Sequence, residues 1–229
     1  MVKLLTGIFP DGYTDEIRNG DMSAKTLTIP LTEEQARQLN IGDVIYLNGP
    51  VFTAMSQFHI RYTEKNILPP LDFNRLNVLV HAGPLMKRVE DKWVALGIDP
   101  TSSLYMDKYG PAITRGLGLR AIVGKTTMGR ETMAAMKEMG CVHLTIPGVM
   151  GNILASQVKA VLEVHDLEAL GANEATWVID LEKAGPFIVD IDARGNNFIQ
   201  KRYEEVEKEF QRFYEKYGLQ GFDFIHVGA

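Results

Sequence analysis

The stretch LRAIVGKTTMGRETMAAMKEMGCVHLTI, residues 119–146, predicts a strand, a helix and a second strand in succession. Its two ends are short apolar runs, at 119–123 and 141–146, whereas 129–139 mixes apolar and charged residues at helical spacing. Two strands joined by a helix usually lie parallel in one sheet. We therefore expect an α/β protein with a mixed, partly parallel sheet flanked by helices.

Further elements are predicted on both sides of this unit. Strands are expected at 25–31, 42–49, 78–83, 93–98 and 161–167, the last as a strand or a helix edge, and as a late pair at 177–181 and 186–192, while MKRVEDK (86–92) is interpreted as a charged turn. Helices are expected at 33–39, behind a capping box of Thr32 and Gln35, and at 53–66, 102–110, 152–159 and 198–216. We divide the chain into an N-terminal arm (1–24), a main domain (25–200) and a C-terminal helix with a tail (201–229).

The composition excludes several classes of protein. The chain has 229 residues, 45% of them hydrophobic, and a net charge of −5, which is typical of a globular protein and gives no basic surface for nucleic acid. No apolar run reaches the length of a membrane span. The N-terminus reaches Pro10 and Asp11 too soon for a signal peptide. Cys141 is the only cysteine, so the chain forms no internal disulfide, holds no iron–sulfur cluster itself, and is expected in the cytoplasm.

Two motifs resemble known sites but are incomplete. AIVGKTT, residues 121–127, resembles the end of a phosphate-binding loop, but that motif needs a glycine where this chain has Leu119. The histidines show no metal-ligand spacing, and we interpret His81 and His143, in apolar strands, as hydrogen-bonded core residues. Lys125 follows a predicted strand beside a glycine. It is either a contact for an anion or an ordinary surface lysine.

A run of hydroxyl residues marks a candidate site. GIDPTSSLYMDKYG, residues 97–110, places Thr101, Ser102 and Ser103 between a predicted strand and a predicted helix. α/β proteins bind ligands at the carboxyl ends of strands, and helix N-termini attract carboxylates. The alternative is that Thr101 or Ser102 only caps the helix.

Six blocks of the chain, from about Lys25 to Asn197, resemble the β subunit or C-terminal half of class I fumarase and L-tartrate dehydratase. The blocks include GDVIYLNG, TAMSQFHIR, DPTSSLYMD, GLRAIVGKTTMG, IPGVMGNILA and LGANEATWVIDLEKAGPFIVDIDARGNN. These enzymes are iron–sulfur hydro-lyases. The resemblance implies a swivelling β/β/α domain. It also implies a partner α subunit that carries the [4Fe–4S] cluster, in an α₂β₂ assembly, with no metal ligand in this chain.

The resemblance also assigns residues. A family motif, Gly-Pro-Thr-Thr-Ser-x-Arg-Met, corresponds to residues 99–106 here, which makes Thr101 the catalytic base and Ser102 a substrate contact. Lys125 corresponds to a family lysine that holds a substrate carboxylate. Elimination of water needs a base for the proton beside a carboxylate and a Lewis acid for the departing hydroxyl. A threonine hydroxyl is a poor base, so it needs a neighbouring cation, for which Lys125 is the candidate.

Two family arginines are replaced in this chain, by Met55 and by Tyr105. Arginine binds a carboxylate through two parallel hydrogen bonds, which neither methionine nor tyrosine reproduces. We therefore expect a 2-hydroxy acid, or its unsaturated product, without a second carboxylate. The alternatives are fumarase or L-tartrate dehydratase proper, a non-catalytic anion-binding paralogue, and a stand-alone nucleotide-binding protein. His59 with Arg61, and Asp192 with its following Gly-Asn-Asn, keep the family pattern but are interpreted as structural.

Overall fold

The computed structural model describes residues 24–148 and 151–219. Seven strands form one sheet in the order β1 (Lys25–Thr28), β2 (Val44–Thr53), β3 (Val78–Val80), β6 (Ala121–Gly124), β7 (Val142–Thr145), β9 (Thr176–Ile191) and β8 (Val158–His165). The pairs from β1 to β7 are parallel, whereas β9 is antiparallel to β7, β8 and β2. Because β9 pairs with β2 as well as β7, the sheet curls back on itself.

Helices flank this sheet, which confirms the predicted fold class. They are α1 (Glu33–Arg37), α2 (Ser56–Lys65), α3 (Gly110–Gly116), α4 (Arg130–Met139), α5 (Gly151–Ser156), α6 (Leu167–Leu170) and α7 (Phe198–Tyr217), with a 3₁₀ helix at Ser103–Tyr109. One apolar cluster packs the sheet against α2, α3 and α4 through Phe58, Ile113 and Met136. None of the described helices is long and apolar enough to cross a membrane.

A hairpin of β4 (Leu85–Val89) and β5 (Lys92–Gly97) packs on a second apolar cluster. Its Trp93 ring meets the buried Trp177 ring edge to face, with 5.1 Å between centroids. The prediction of a turn over residues 86–92 was therefore wrong for most of its length. Lys87, Arg88 and Lys92 lie on exposed positions of the two strands, and the turn itself is confined to Glu90 and Asp91 between them.

The structure confirms one further prediction, at the start of α1, and contradicts another, in β9. The capping box of Thr32 and Gln35 is confirmed, with both reciprocal hydrogen bonds present. The predicted late pair of strands is wrong, because β9 is one strand in which Ala184 still pairs with Leu47. Gly185 falls in the gap between the two predicted strands. Gly185 instead lies where β9 approaches β2 so closely that a Cβ would be 2.7 Å from the Ile45 carbonyl oxygen.

The limits of two other predictions also changed. The predicted helix at 102–110 is the 3₁₀ helix, which continues into α3. The segment 161–167 is mostly strand, as the first of its two interpretations stated. The predicted N-terminal arm lies outside the described residues except for Ala24, and so does the end of the predicted tail.

Candidate active site

The carboxyl ends of three parallel strands meet at one edge of the sheet. There β2 leads into Met55, β3 into His81 and β6 into Lys125. The pairing register aligns these three strand ends, because Thr53 pairs with Val80, and Val80 pairs with Val123. Ligands of α/β proteins bind outside such carboxyl ends. The site is therefore positioned by strand order.

The hydroxyl segment is inserted into this edge through its backbone. The Thr101 N–H donates to the His81 carbonyl oxygen at 2.7 Å, and the Lys125 N–H donates to the Thr101 carbonyl oxygen at 2.9 Å. The Ser103 N–H then donates to the Lys125 carbonyl oxygen at 3.0 Å, which completes a parallel bridge between Ser102 and Lys125. Thr101 and Lys125, far apart in sequence, are thus neighbours. We call Thr101, Ser102 and Lys125 the bridge.

The location of this segment differs from its prediction in one respect. The preceding strand, β5, belongs to the separate hairpin and not to the parallel sheet. The strands whose carboxyl ends it joins are β3 and β6, because it bonds to His81 and Lys125. The position beside carboxyl ends was therefore right, but it arises from pairing with other strands.

The capping interpretation of Ser102 was wrong. Ser102 occupies the N-cap position of the 3₁₀ helix, but its side chain makes no capping hydrogen bond. Its Oγ lies 2.8 Å from Thr126 Oγ1, and the Thr126 hydroxyl donates to the Lys125 carbonyl oxygen at 2.6 Å. The Ser102 hydroxyl therefore donates to Thr126, and its own oxygen remains able to accept. Thr126 has a φ of +62°, which costs about 1–3 kcal/mol for a β-branched residue.

Lys125 is paired with a carboxylate from its own chain. Its Nζ lies 2.7 Å from Asp99 Oδ2, and the two side chains are 33% and 48% exposed. An ion pair this exposed contributes only about 0–1 kcal/mol, so a ligand carboxylate can displace it. Sequence reasoning gave Asp99 no role. The available signal was its position, where the family motif has glycine.

Met55 lies at the start of α2, and Tyr105 lies on the 3₁₀ helix. The carbonyl oxygen of Met55 accepts from His59 Nδ1 at 2.8 Å, and the first turn of α2 is capped by Glu174, whose Oε2 accepts from the Gln57 N–H at 2.9 Å. The two elements touch where Ser56 Oγ lies 3.8 Å from Met106 Sδ. Tyr105 is 78% exposed, so the fold does not pack its ring against the bridge.

Behind the bridge lies a row of buried polar side chains. Ser103 Oγ lies 2.9 Å from His81 Nδ1 and 2.7 Å from His143 Nε2, and His81 Nε2 lies 3.2 Å from His59 Nε2. His143 Nδ1 lies 2.5 Å from Asp190 Oδ1. We call Asp190, His143, Ser103, His81 and His59 the polar chain. The prediction that His81 and His143 are buried and hydrogen-bonded is confirmed, but sequence reasoning missed that they share Ser103.

Burial sets the charge of two of these histidines. It lowers the pKa of His59 to about 4, although the bond to Met55 acts in the opposite direction. Burial also lowers the pKa of His81 well below its usual range, and the neighbouring His59 and His143 add to this effect. Both imidazoles are therefore neutral at pH 7.

Gly124, which frames Lys125 in the sequence, is required by this arrangement. A Cβ there would lie 1.9 Å from Ser103 Oγ and 3.2 Å from His143 Nε2. The glycine beside the lysine therefore serves the close approach of the polar chain. It is not part of a phosphate-binding loop.

The remaining family-like residues, Arg61 and Asp192, have partners within the chain. Arg61 forms an ion pair with Asp166 at 3.0 Å. Asp192 forms a turn, because its carboxylate accepts from the backbone N–H groups of Arg194 and Asn196. Burial alone would raise the pKa of Asp192, but hydrogen bonds from Asn196 and Arg194 together hold it below its usual value.

The described residues do not fit an iron–sulfur cluster. Within 24–148 and 151–219, no group of three or more His, Cys, Asp or Glu side chains is arranged to hold a metal ion. Burial raises the pKa of the Cys141 thiol to about 12, so it stays protonated among apolar neighbours. A cluster ligand must be a thiolate.

The chain is similar to known proteins over most of its length. The family model described as Fumarase C-terminus matches residues 8–202. A Methanocaldococcus jannaschii protein provisionally named as the β subunit of L(+)-tartrate dehydratase is 37% identical over 193 residues, which are 82% of this chain and 96% of that protein. The β subunit of L(+)-tartrate dehydratase of Escherichia coli K12 is 35% identical over 175 residues, 76% of this chain and 86% of that protein.

A longer relative is also similar. A Geobacillus stearothermophilus protein provisionally named as a class I fumarate hydratase is 34% identical over 184 residues, 80% of this chain but 34% of that protein. The present chain thus spans about a third of that relative's length.

Proposed function

The chain belongs to the fumarase C-terminus family, and on that premise we propose that it is the β subunit of a hydro-lyase acting on a 2-hydroxy acid or its unsaturated product. The observation that carries the proposal is the bridge. The family resemblance assigns Thr101 and Lys125 to catalysis, and at the carboxyl ends of β3 and β6 the Lys125 N–H donates to the Thr101 carbonyl oxygen. The main chains of the candidate base and the candidate cation are thereby neighbours at the edge where α/β proteins bind ligands.

In this proposal Thr101 removes the proton next to the substrate carboxylate. The hydroxyl becomes a useful base only if its developing negative charge is stabilised, and the Lys125 ammonium is the candidate cation. Lys125 also binds the substrate carboxylate, which takes over the position of Asp99 Oδ2. Ser102 accepts a hydrogen bond from a substrate hydroxyl, because its own proton is given to Thr126.

The proposal requires a partner. Two relatives carry the name of a β subunit, and this chain has no ligand set for an iron–sulfur cluster among its described residues. We assign the [4Fe–4S] cluster, and the acid that receives the leaving hydroxyl, to an α subunit in an α₂β₂ assembly. The steps described for Thr101, Ser102 and Lys125 do not depend on its geometry. The cytoplasm is the proposed compartment, because the single thiol is buried and free.

The proposed substrate has one carboxylate rather than two. Met55 and Tyr105 replace the family arginines, so two cations that would face a second carboxylate are absent, while Asp99 adds a negative charge beside Lys125. Tyr105 offers one hydrogen bond, and Met55 offers an apolar surface. Turnover of fumarate or tartrate is the alternative within the same reaction class. Anion binding without turnover is the alternative outside it.

The test is anaerobic co-expression with an α-type subunit, followed by a panel of substrates read by absorbance. The panel pairs 2-hydroxy monocarboxylates and their unsaturated products with fumarate and L-tartrate. We expect co-purification of a brown complex that turns over a monocarboxylate at about 1 per second or faster. Turnover of fumarate at that rate would overturn the substrate assignment alone. A complex with a complete cluster and no turnover of any acid would contradict the hydro-lyase.

A further inference from the structure

The polar chain has no part in the reaction proposed above, yet it runs directly beneath the site. Its five side chains come from β9, β7, the 3₁₀ helix, the end of β3 and α2, and each is at most 1% exposed. Replacing buried polar groups by apolar ones is often neutral or stabilising. Stability therefore gives little reason for a row of this length.

The Met55 carbonyl oxygen, at one end of the polar chain, determines which atom donates in each following hydrogen bond. The Met55 carbonyl oxygen can only accept, so His59 carries its proton on Nδ1. A neutral His59 then accepts at Nε2, which requires a proton on Nε2 of His81. A neutral His81 accepts in turn at Nδ1, and its partner there is the Ser103 hydroxyl.

His143 and Asp190 continue the polar chain on the other side of Ser103. Its hydrogen is given to His81, so its oxygen accepts from Nε2–H of His143. Beyond that, Nδ1 of His143 and Oδ1 of Asp190 share one proton at 2.5 Å. The four hydrogen bonds from His143 Nε2 to the Met55 carbonyl oxygen therefore all point the same way, with no conflict between donors or between acceptors.

The two ends of this row lie on different parts of the candidate site. Ser103 adjoins the bridge, because its N–H donates to the Lys125 carbonyl oxygen. The far end is the Met55 carbonyl oxygen at the first residue before α2. We propose that Ser103 is a positioning residue: clamped between His81 and His143, it fixes the bridge relative to the Met55 turn. The catalytic consequence of this proposal rests on the proposed function, whereas the positioning of the bridge by Ser103 does not.

The first arm of the test measures the proton positions in the full chain without a partner. Long-range ¹H–¹⁵N correlation spectra distinguish the two tautomers of each neutral histidine. We expect the Nδ1–H form for His59 and the Nε2–H form for His81 at pH 7. A charged His81, or the opposite tautomer in either ring, would break the direction of the chain and overturn the proposal.

The second arm compares Ser103→Ala with Thr114→Val. Thr114 is a matched control, since it is equally buried and its hydroxyl has no hydrogen-bond partner among the described residues. In the full chain we expect Ser103→Ala to speed amide exchange at Thr101 and Lys125 by about tenfold or more, and Thr114→Val to leave both unchanged. Equal exchange in the two variants would overturn positioning.

The third arm uses the assembled enzyme and the substrate identified by the panel. Small displacements of catalytic groups cost rate more than binding, so we expect Ser103→Ala to lower kcat by about 10- to 100-fold with KM within about threefold. A fall in kcat no larger than that of Thr114→Val would contradict a positioning role. If wild type is inactive while the exchange difference is present, the proposed function fails and the positioning inference is retained.

Discussion

The bridge and the Met55–Tyr105 region occupy the same site but are held in different ways. Thr101, Ser103 and Lys125 are joined by consecutive backbone hydrogen bonds and rest on the polar chain. Tyr105 is 78% exposed, and at Met55 the interaction with the polar chain is made by the carbonyl oxygen and not by the side chain. Backbone hydrogen bonds hold the bridge in place, whereas the Met55–Tyr105 region contributes side chains to the site.

This difference corresponds to where the sequence departs from the family. The residues assigned to the reaction, Thr101 and Lys125, are those that the backbone fixes, and they retain the family identity. The residues assigned to substrate recognition, Met55 and Tyr105, differ from the family arginines. A site built this way can change its substrate through side chains while the base and its cation keep their positions.

Among the variants that test this comparison, the largest effect is expected from Lys125→Met, which removes the ammonium without shortening the side chain much. The backbone bonds to Thr101 and Ser103 remain, but the cation that binds the carboxylate is gone. We expect kcat/KM to fall by about 10²- to 10³-fold, through KM because the charge-assisted bond to the carboxylate is lost, and through kcat because the cation that assists Thr101 is lost. Steady-state kinetics of the assembled complex measure this, with Lys159→Met, on an exposed face of β8, as the matched control. An equal fall in kcat/KM in both variants would show that Lys125 contributes no more to the reaction than a surface lysine does.

Acid is expected to destabilise the fixed region through its neutral histidines. The folded-state pKa of His59 is about 4, whereas an unfolded histidine titrates near 6.5. As pH falls from about 6.5 towards 4, the unfolded chain binds protons that the folded chain excludes, so the free energy of unfolding decreases. The slope is at most about 1.4 kcal/mol per pH unit for this group, and the lowered pKa of His81 acts in the same direction.

Urea unfolding of the full chain at pH 7, 6 and 5 measures this slope. We expect His59→Gln to reduce it by up to about 1.4 kcal/mol per pH unit. An unchanged slope in His59→Gln would mean that folding does not lower the pKa of His59.

The substrate region is tested by restoring the family arginines. In the double variant Met55→Arg and Tyr105→Arg, two cations face a second carboxylate again. We expect kcat/KM for a dicarboxylate, relative to a monocarboxylate, to rise by about 10- to 100-fold. The single variants show which position contributes more. A ratio that does not move would mean that these two positions do not read the substrate.

The smallest kinetic effect is expected from Asp99→Gly, which installs the family residue. Lys125 then loses its internal partner at 2.7 Å. Because the pair is half exposed and weak, we expect KM for the carboxylate to fall by only about three- to tenfold, with kcat unchanged. Inhibition by added sulfate, measured in wild type and in Asp99→Gly, independently reports how accessible the Lys125 ammonium is to an anion. A higher KM in Asp99→Gly would show that Asp99 helps to bind substrate.

The sequence predicted the parallel unit and the place of the hydroxyl segment because these depend on local patterns. Apolar runs marked β6 and β7, a mixed periodicity marked α4, and Thr32 with Gln35 marked the start of α1. The single strand β9 was predicted as two strands because local chemistry cannot show that Gly185 is needed for close approach between strands.

The polar chain could not be predicted in the same way. His59, His81, Ser103, His143 and Asp190 come together only through the order of the strands, which joins β3 to β6, β7 and β9. The ion pair of Asp99 with Lys125 depends on the same insertion of the hydroxyl segment. In the sequence the histidines had no common spacing, and each one alone was compatible with an ordinary core position.

The most direct test of the central claim is the turnover number of Thr101→Ala and Thr101→Ser in the assembled complex. If Thr101 is the base on a backbone-fixed bridge, Thr101→Ala loses about 10²- to 10⁴-fold in kcat. Thr101→Ser keeps the hydroxyl and stays within about tenfold of wild type. A Thr101→Ala complex that turns over as fast as the wild-type complex would contradict the account, because the proton would then be removed by another group.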